Sequence, residues 1–432
     1  MDTNRELLAF IAASPTAFHA VRNMAEKLLD EGYEELKEYE PWDVREGGKY
    51  FVRRNGSSLI ALRIPPQTPV GLMIAAAHSD SPALKLKESA AIDDGRYVRL
   101  GVEKYGGMLL APWLDRPLSV AGRVTVKENG RIVSKLVDLK KPVALIPNVA
   151  IHMDRTANDG KKLDPAVDMP ALFSLSGSAD FPALIAGAVG VKEEDILSKD
   201  LFLYPLCEGT VWGADGEFVS SPRLDDLQCA FGCLHGFLEA GESKSLGVFC
   251  VFDNEEVGSG TKQGADSDLL TAVLRRACAC LGLSEDAFLA LAANGFMVSA
   301  DNAHAVHPNH PELADKNDRP VPNGGVVIKY NANSRYTTDS VSAAVFGEIC
   351  READVSVQRF TNRADMPGGS TLGNISLAHL SLDCVDIGLA QLAMHSCYET
   401  AGAKDTDSLI AAMRAFFSRT LRRTQDGLSI EA

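Results

Sequence analysis

The alternation of apolar and polar residues changes character along the chain. Residues 2–32 carry apolar residues at helical spacing and predict two helices. The segments SLIALRI and GLMIAAA then predict two strands, and the second is apolar on both faces, as in a buried parallel strand. From about residue 89 the segments are short, punctuated by glycine and partly alternating, and Asn129-Gly130 predicts a hairpin turn. We therefore predict a mainly β insertion over residues 89–220.

Strands and helices alternate again after residue 220. The segment from Pro222 to Glu242 predicts a helix with Pro222 in its first turn and with one apolar face, formed by Leu224, Leu227, Phe231, Leu234 and Leu238. The predicted strands SLGVFCVF, GFMVSA, GGVVIKY, VSVQRF and CVDIGL follow, with helices around residues 267–281 and 405–422. This alternation predicts an α/β fold with a mostly parallel, open sheet and helices on both faces. One domain would then consist of residues 1–88 and 221–432, interrupted by the β-rich insertion.

Composition narrows the classes of function. The chain has 432 residues, of which 46% are apolar and 23% charged, as in ordinary globular proteins. Its formal net charge is −15, from 58 acidic and 43 basic residues. Such a field repels phosphate backbones and anionic lipid, so we expect neither nucleic acid nor membrane partners. A site for an acidic substrate would need local positive charge.

The cysteines and the N-terminal segment predict a cytoplasmic protein. All nine cysteines fall at Cys207 or later and form no CxxC pair. An odd number of cysteines without a signal peptide indicates reduced thiols. The first residues lack the basic segment of a signal peptide, and the longest apolar runs are too short to cross a bilayer.

Titratable side chains stand at or near the ends of five predicted strands. They are His78 and Asp80, the run from Asp253 to Glu256, Asp301, Lys329 and His395. Each one alone is typical of a loop or a helix cap. In open α/β sheets, however, ligands bind outside the carboxyl ends of the strands. The coincidence of these residues therefore predicts one shared site.

The residue types suit a pair of metal ions. Imidazole and carboxylate groups are ligands for zinc and its neighbours in the first transition row. Two ions about 3.5–4 Å apart need a bridging carboxylate. Asp225, in the first turn of the predicted helix, could be the bridge, and Asp226 is the adjacent competitor. Of Glu255 and Glu256, one would bind metal and the other would serve as general base.

Longer motifs make the chain resemble a known family over essentially its whole length. These are SPTAFHAV, AAAHSDSP, NVAIHMDR, SPRLDDL, FDNEEVGS, SADNAHAVHPNH, GVVIKYNANSRYTT, MPGGSTLG and QLAMHS. They resemble the aspartyl aminopeptidase family of dinuclear zinc metallopeptidases, and they occur in the family's order. The resemblance implies a zinc-exopeptidase-like catalytic domain, with the insertion serving as a dimerisation domain. It also implies dimers that assemble into a dodecamer and peptide substrates with N-terminal Asp or Glu.

The resemblance also assigns roles at the metal site. His78 and His395 would be terminal ligands, Asp225 the bridge, and Glu256 and Asp301 would complete the two coordination spheres. In addition, Glu255 would be the general base and Asp80 would hold the His78 ring. The cofactor would be two divalent ions per subunit, in the first place Zn²⁺, with Mn²⁺ and Co²⁺ as alternatives.

Further residues would contact the substrate. Lys329 would be the counter-charge for an acidic side chain, with Arg335 as the second candidate cation. His152, in the insertion, would reach the site of a neighbouring subunit and stabilise the oxyanion. The segment Gly368-Gly369-Ser370 resembles an anion-binding nest and would contact the substrate backbone.

A histidine cluster close to Asp301 could look like a further metal site. Pro308 prevents a regular helix there, and the resemblance places the ligand at Asp301. We therefore interpret His304, His307 and His310 as a loop beside the site.

Other functions are compatible with the same scaffold. They include an aminopeptidase with neutral or hydrophobic specificity, an amino-acid deacylase and a carboxypeptidase. A catalytically silent scaffold protein is disfavoured, because every expected ligand and the base are present.

Overall fold

The structure is a computed structural model, and it describes residues 2–431. The helices are α1 (Thr3–Ala12), α2 (Ala17–Asp30), α3 (Phe181–Val189), α4 (Leu224–Glu239), α5 (Leu269–Cys280), α6 (Glu285–Ala293), α7 (Ser340–Glu352), α8 (Leu372–Ser376) and α9 (Asp405–Phe417). The first half of the strands are β1 (Glu34–Leu36), β2 (Lys49–Arg54), β3 (Ser58–Arg63), β4 (Leu72–His78), β5 (Ala83–Asp93), β6 (Tyr97–Tyr105), β7 (Leu118–Glu128), β8 (Arg131–Asp138), β9 (Ala171–Leu175), β10 (Ile196–Pro205) and β11 (Thr210–Trp212). The remaining strands are β12 (Phe218–Ser221), β13 (Leu246–Phe252), β14 (Phe296–Ala300), β15 (Ala303–His304), β16 (Val326–Tyr330), β17 (Val357–Thr361), β18 (Asp383–Gly388), β19 (Ala390–Leu392), β20 (Glu399–Gly402), β21 (Thr420–Thr424) and β22 (Gly427–Glu431).

The largest sheet has nine strands in the order β1-β2-β3-β13-β4-β14-β18-β16-β17. Its central strands β13, β4, β14 and β18 run parallel to one another. On either side of them, β3 runs antiparallel to β13 and β16 runs antiparallel to β18. The chain therefore has a mixed α/β fold with several sheets. The parallel strands all end at one edge of the sheet, the metal edge.

Helices cover both faces of this sheet, and the sequence of β4 shows why it is apolar throughout. Met73, Ala75 and Ala77 pack in a core with residues of α1, α2, α4, α7 and α9. Ile74 and Ala76 point to the other face and pack with residues of α5, α6 and α8. Because successive side chains of a strand alternate between faces, a strand between two helical layers must be apolar at every position.

A second sheet is antiparallel and has its own core. Its order is β8-β7-β10-β5-β6-β9, and its strands lie between Ala83 and Pro205. Residues of α3 join its core. The hairpin between β7 and β8 turns at Asn129-Gly130 as predicted, and both residues have positive φ angles, of 50° and 76°. The next strands, β11 and β12, pair instead with β20 in another sheet. A domain division at residues 89 and 220 stays a prediction.

A five-stranded sheet, in the order β11-β12-β20-β19-β15, contains segments that follow the central strands in the chain. β15 follows β14, and β19 and β20 follow β18. This sheet therefore holds the connections that leave the metal edge.

Two details differ from the predicted elements. The last helix ends at Phe417 and not near residue 422, because residues 420–431 form the hairpin of β21 and β22. Pro222 precedes α4 and does not lie in its first turn, since the helix follows Arg223, whose φ is 60°. Within residues 2–431, no helix combines the length and the apolar character needed to cross a membrane.

Candidate metal centre

Three central strands deliver polar residues to the metal edge. His78 is the last residue of β4, and Asp301 directly follows β14. Glu255 and Glu256 lie in a short turn just after β13. Because β13, β4 and β14 are parallel neighbours, these side chains meet in space, as the sequence predicts.

Asp225 lies between two histidines. Its Oδ1 is 3.5 Å from Nε2 of His78, and its Oδ2 is 3.4 Å from Nε2 of His395. Its side chain is only 3% exposed. One carboxylate thus presents a separate oxygen to each imidazole, which is the arrangement that a bridging ligand requires.

The possible ligand atoms form three groups, two of which share Asp225. The inner group is His78, Asp225, Asp226 and Asp301, and the outer group is Asp225, Glu256 and His395. Within each group, ligand atoms lie within 4.8 Å of one another. In the outer group, Nε2 of His395 is also 3.3 Å from Oε2 of Glu256. Glu255 is close to both groups, because it clusters with His78 and Glu256.

Both imidazoles are oriented by carbonyl oxygens. Nδ1 of His78 lies 3.1 Å from the carbonyl oxygen of Asp80 and 3.4 Å from its Oδ1. Nδ1 of His395 lies 2.6 Å from the carbonyl oxygen of Gly107. An N–H at Nδ1 leaves the lone pair on Nε2, directed at the centre, as is common for metal-bound histidines.

Three further carboxylates hold the backbone of the candidate ligands. Asp80 accepts hydrogen bonds from the backbone N–H groups of Glu255 (3.1 Å) and Glu256 (3.2 Å). Asp226 accepts one from His78 at 3.0 Å. Glu399 accepts from His395 at 2.8 Å and from Asp225 at 3.0 Å.

The backbone of Asp225 and Asp226 is not helical, although the sequence predicted that Asp225 lies in the first turn of a helix. The φ and ψ angles are −81° and 109° at Asp225 and −117° and 19° at Asp226. The backbone N–H of Asp225 donates to Glu399. The same local geometry distinguishes the two acids, because only Asp225 faces both histidines while Asp226 holds the backbone of His78.

The donor set fits bound cations. Asp225 Oδ1, Asp226 Oδ1 and Glu256 Oε1 are buried without a hydrogen-bond partner in the part of the chain that the structure describes. A buried acceptor without a partner is destabilising, and a metal ion would satisfy all three. Imidazole nitrogens and carboxylate oxygens are also the ligand types that zinc accepts.

The pKa shifts show an excess of negative charge. Burial by itself would lower the pKa of His395, but its contact with Asp225 and the charge of Glu256 raise it to about 10. Burial, reinforced by neighbouring carboxylates such as Asp301, raises the pKa of Glu255 to about 8. Burial and the charge of Asp225 also raise the pKa of Glu256. Because the buried carboxylates raise the pKa values of their neighbours, bound positive charge would stabilise this site.

Lys329 contacts the candidate metal centre, but its strand does not end at the metal edge as the sequence suggests. β16 runs antiparallel to β18, so its C-terminal end points away from the metal edge. The long side chain returns toward it, and Nζ donates to the carbonyl oxygen of Asp301 at 2.8 Å and lies 3.7 Å from Oδ2 of Asp301. Burial alone would lower the pKa of Lys329, but the Asp301 carboxylate raises it above its usual range.

The other predicted contact residues lie farther out. His152 is exposed, in a loop of the predicted insertion. Gly369 and Ser370 are exposed, Gly368 is half-buried, and Ser370 Oγ donates to Asn374 at 3.0 Å. Among the described residues, none of the histidines of the cluster belongs to the inner or the outer group. His304, His307 and His310 instead line a cavity of about 330 Å³, together with Met366 and Pro367.

Sequence reasoning did not identify the backbone-holding role of Asp226 or any role for Glu399. It also missed Tyr105, whose hydroxyl donates to Asp80 Oδ2 at 2.7 Å and accepts from Asn254 at 2.8 Å. Only Asp226 has a signal in the sequence, as the neighbour of a candidate bridge. Tyr105 lies at the end of a strand of the second sheet, and nothing in its spacing indicates this contact.

Comparisons with known proteins identify the family of the chain. A family model described as aminopeptidase I zinc metalloprotease (M18) matches residues 10–417. A probable M18 family aminopeptidase 2 from Clostridium novyi is 45% identical over 411 residues, which cover 93% of this chain and 95% of that protein.

Solved structures show the same fold. A chain in the cryo-EM structure of the Ape4 and Nbr1 complex is 35% identical, with a TM-score of 0.93 over 96% of this chain and 85% of that one. The mApe1 dodecamer from S. cerevisiae is 29% identical, with a TM-score of 0.83 and 96% coverage of both chains. With its ligand-like cluster and these matches over nearly the whole sequence, the chain belongs to the M18 family of metallo-aminopeptidases.

Proposed function

We propose that this M18 aminopeptidase removes N-terminal residues, preferably Asp or Glu, from peptides with the help of two divalent ions. The observation that carries the proposal is the position of Asp225, whose two oxygens face His78 and His395 separately, at 3.5 and 3.4 Å. A single ion would not need one carboxylate divided between two such groups.

Each ion would have its own protein ligands. His78 and Asp301 would hold the inner ion, Glu256 and His395 the outer ion, and Asp225 would join them. When bound, the ions lower the pKa of water and polarise the carbonyl of the scissile bond. Zn²⁺ is the first choice by family and donor set, with Mn²⁺ and Co²⁺ as alternatives.

Glu255 is the proposed general base. Its backbone is fixed by Asp80, and its carboxylate lies close to both groups without being needed by either. From this position it would take a proton from the attacking water and deliver it to the leaving amine. The neighbouring carboxylates would attract the free α-amino group of the substrate, which limits cleavage to the N-terminus.

The preference for acidic residues rests on local positive charge. Lys329 is buried beside Asp301, and the cavity of about 330 Å³ is lined by Arg319 and Arg363 as well as the three histidines. In a chain with a net charge of −15, such a region would attract a carboxylate where the rest of the surface repels it. Gly368, Gly369 and Ser370 would contact the substrate backbone.

A second candidate is an aminopeptidase of neutral or hydrophobic specificity. The same cavity is also lined by Val306, Leu313, Phe360 and Met366. Lys329 already has a partner in Asp301, so it could serve that residue alone. Deacylation of amino acids is the more distant alternative on this scaffold.

We further propose a homo-oligomer in which sites are shared. The residues 89–220 would form the dimerisation domain, and dimers would assemble into a dodecamer, as the S. cerevisiae mApe1 relative does. His152 would then be supplied to the site of the partner subunit. All nine cysteines are free in the described residues, which favours a cytoplasmic location.

The test is a substrate panel with metal-depleted and metal-restored enzyme. Aspartyl, glutamyl and leucyl anilides would be compared with N-acyl amino acids. We expect activity only after metal is restored, with acidic anilides cleaved best. Faster cleavage of leucyl anilide would favour the second candidate, and hydrolysis of N-acyl amino acids alone would overturn the aminopeptidase assignment.

A further inference from the structure

Glu399 joins two segments that are far apart in the chain. It begins β20 and is only 1% exposed. One of its oxygens accepts the backbone N–H of His395 at 2.8 Å, and the other accepts that of Asp225 at 3.0 Å. The two residues whose backbones it holds also face each other across 3.4 Å, through Nε2 and Oδ2.

Both segments have backbone conformations that need such support. His395 has a φ angle of 65°, which is unfavourable for a residue with a side chain. Asp225 is the second residue of α4, so its N–H has no acceptor within the helix, and its own torsion angles are not helical. Glu399, which follows His395 closely in the chain, supplies an acceptor to the N–H groups of both residues.

Glu399 is not itself a ligand candidate. It belongs to neither the inner nor the outer group among the described residues, and both of its oxygens are occupied by backbone N–H groups. Its position differs from those of the other two supporting carboxylates, because Asp80 and Asp226 hold Glu255, Glu256 and His78. Only Glu399 contacts the backbone of both the shared carboxylate and the outer histidine.

We propose that Glu399 is a positioning residue that sets the distance between Asp225 and His395 and thereby the metal affinity of the outer group. The inference rests on the proposed two-ion site. Groups that orient metal ligands typically change metal affinity or activity by about 10–100-fold when they are mutated. The loss should be larger in the outer group, because Glu399 holds both Asp225 and His395 there, whereas in the inner group it holds only Asp225 and His78 is held by Asp226.

The variant Glu399→Gln separates positioning from packing. Glutamine has the same shape but offers only one acceptor oxygen, so its NH₂ group would face one of the two N–H donors. Asp405→Asn is a matched control. Asp405 is fully buried and also accepts two backbone N–H groups, from Asn323 at 2.7 Å and Gly325 at 3.0 Å, but it holds no candidate ligand.

The experiment measures metal binding on purified full-length protein. Apo enzyme would be titrated with Co²⁺, and binding of each ion followed by the visible absorption of the cobalt and by competition with a chelator. Thermal unfolding of the apo forms would be recorded in parallel. We expect Glu399→Gln to bind one Co²⁺ about 10–100-fold more weakly than the unmodified enzyme does, and the other with a smaller loss of affinity. Excess Co²⁺ should restore much of its activity.

The controls decide between the explanations. Asp405→Asn should lose thermal stability but keep both Co²⁺ affinities. Unchanged binding of both ions by Glu399→Gln would overturn the inference, as would an equal loss of affinity in Asp405→Asn. If Glu399→Gln does not fold, Glu399→Asp is measured in the same way, because its shorter side chain cannot span both N–H groups. Should the unmodified enzyme bind fewer than two ions, the proposed two-ion site itself fails, whatever Glu399 does.

Discussion

The inner and outer groups share Asp225 but are built differently. His78, in the inner group, ends the buried strand β4 and is 1% exposed. His395, in the outer group, lies in the loop between β19 and β20, has a positive φ angle and is 32% exposed. The sheet thus provides a rigid, buried half, while a loop completes the half that faces solvent. We infer that tight metal retention belongs to the inner group, and exchange and substrate access to the outer one.

The largest expected effect comes from a residue that clusters with members of both groups. Glu255→Gln should lower turnover about 10²–10⁴-fold, the usual contribution of a general base. Both ions should remain bound, because neither group needs Glu255 as a ligand. Steady-state kinetics and metal analysis of the same sample would measure this. Glu348→Gln, at a partly exposed position on α7, is the control. Near-normal turnover of Glu255→Gln would remove Glu255 as the base.

Lys329 tests whether the inner group also takes part in specificity. Breaking one side of a buried ion pair costs about 3–5 kcal/mol, so Lys329→Met should strongly lower activity. If Lys329 is the counter-charge, the specificity constant (kcat/KM) for aspartyl substrates should fall far more than that for leucyl ones. Equal losses would mean that Lys329 serves only Asp301, its partner in the structure.

His152, which is exposed, tests whether a residue outside both groups contributes to catalysis. A single oxyanion donor contributes about 2.7–4 kcal/mol, so His152→Phe should lower kcat about 10²–10³-fold with metal content intact. The neighbouring Met153→Ala, at an equally exposed position, is the control. Kinetics of the two variants would be compared at equal oligomeric state.

Mixed dimers reveal which subunit supplies the histidine. One subunit would carry Glu255→Ala and the other His152→Ala, and each variant alone should be nearly inactive. In a mixed dimer, one site would combine an intact Glu255 with an intact His152 from its partner. Partial activity is therefore expected on co-expression. Isolated mixed dimers as inactive as their parents would place His152 in its own chain's site or in none.

Metal removal should reveal a smaller effect, a difference in metal affinity between the inner and the outer group. As chelator is raised, we expect the outer ion to leave first, at an affinity about tenfold or more weaker, which corresponds to about 1.4 kcal/mol. The reason is that solvent and chelator can reach His395 but not His78. Metal content measured against chelator concentration would then fall in two steps. Loss of both ions in one step would show that the groups are equivalent.

The sequence predicted the residues at the strand ends better than the contacts that hold them, for a physical reason. His78 ends one strand that is buried throughout and Asp301 directly follows another, so the pattern alone places them at one edge. The choice between Asp225 and Asp226 depends on non-helical backbone angles, which periodicity cannot indicate. Glu399 was missed because its contact with Asp225 spans 174 residues. The strand that carries Lys329 was recognised, but its antiparallel direction has no local signature.

The contact between Tyr105 and Asp80 has a consequence for local unfolding. Tyr105 ends β6 of the second sheet, and Asp80 holds the backbone N–H groups of Glu255 and Glu256. Movement of the second sheet away from the metal edge would remove one hydrogen bond from Asp80 and loosen the turn that carries the base. The amide hydrogens of this turn should therefore exchange with solvent together with those at the end of β6, as one cooperative unit. The stability of the second sheet would then set how often the turn that carries Glu255 opens.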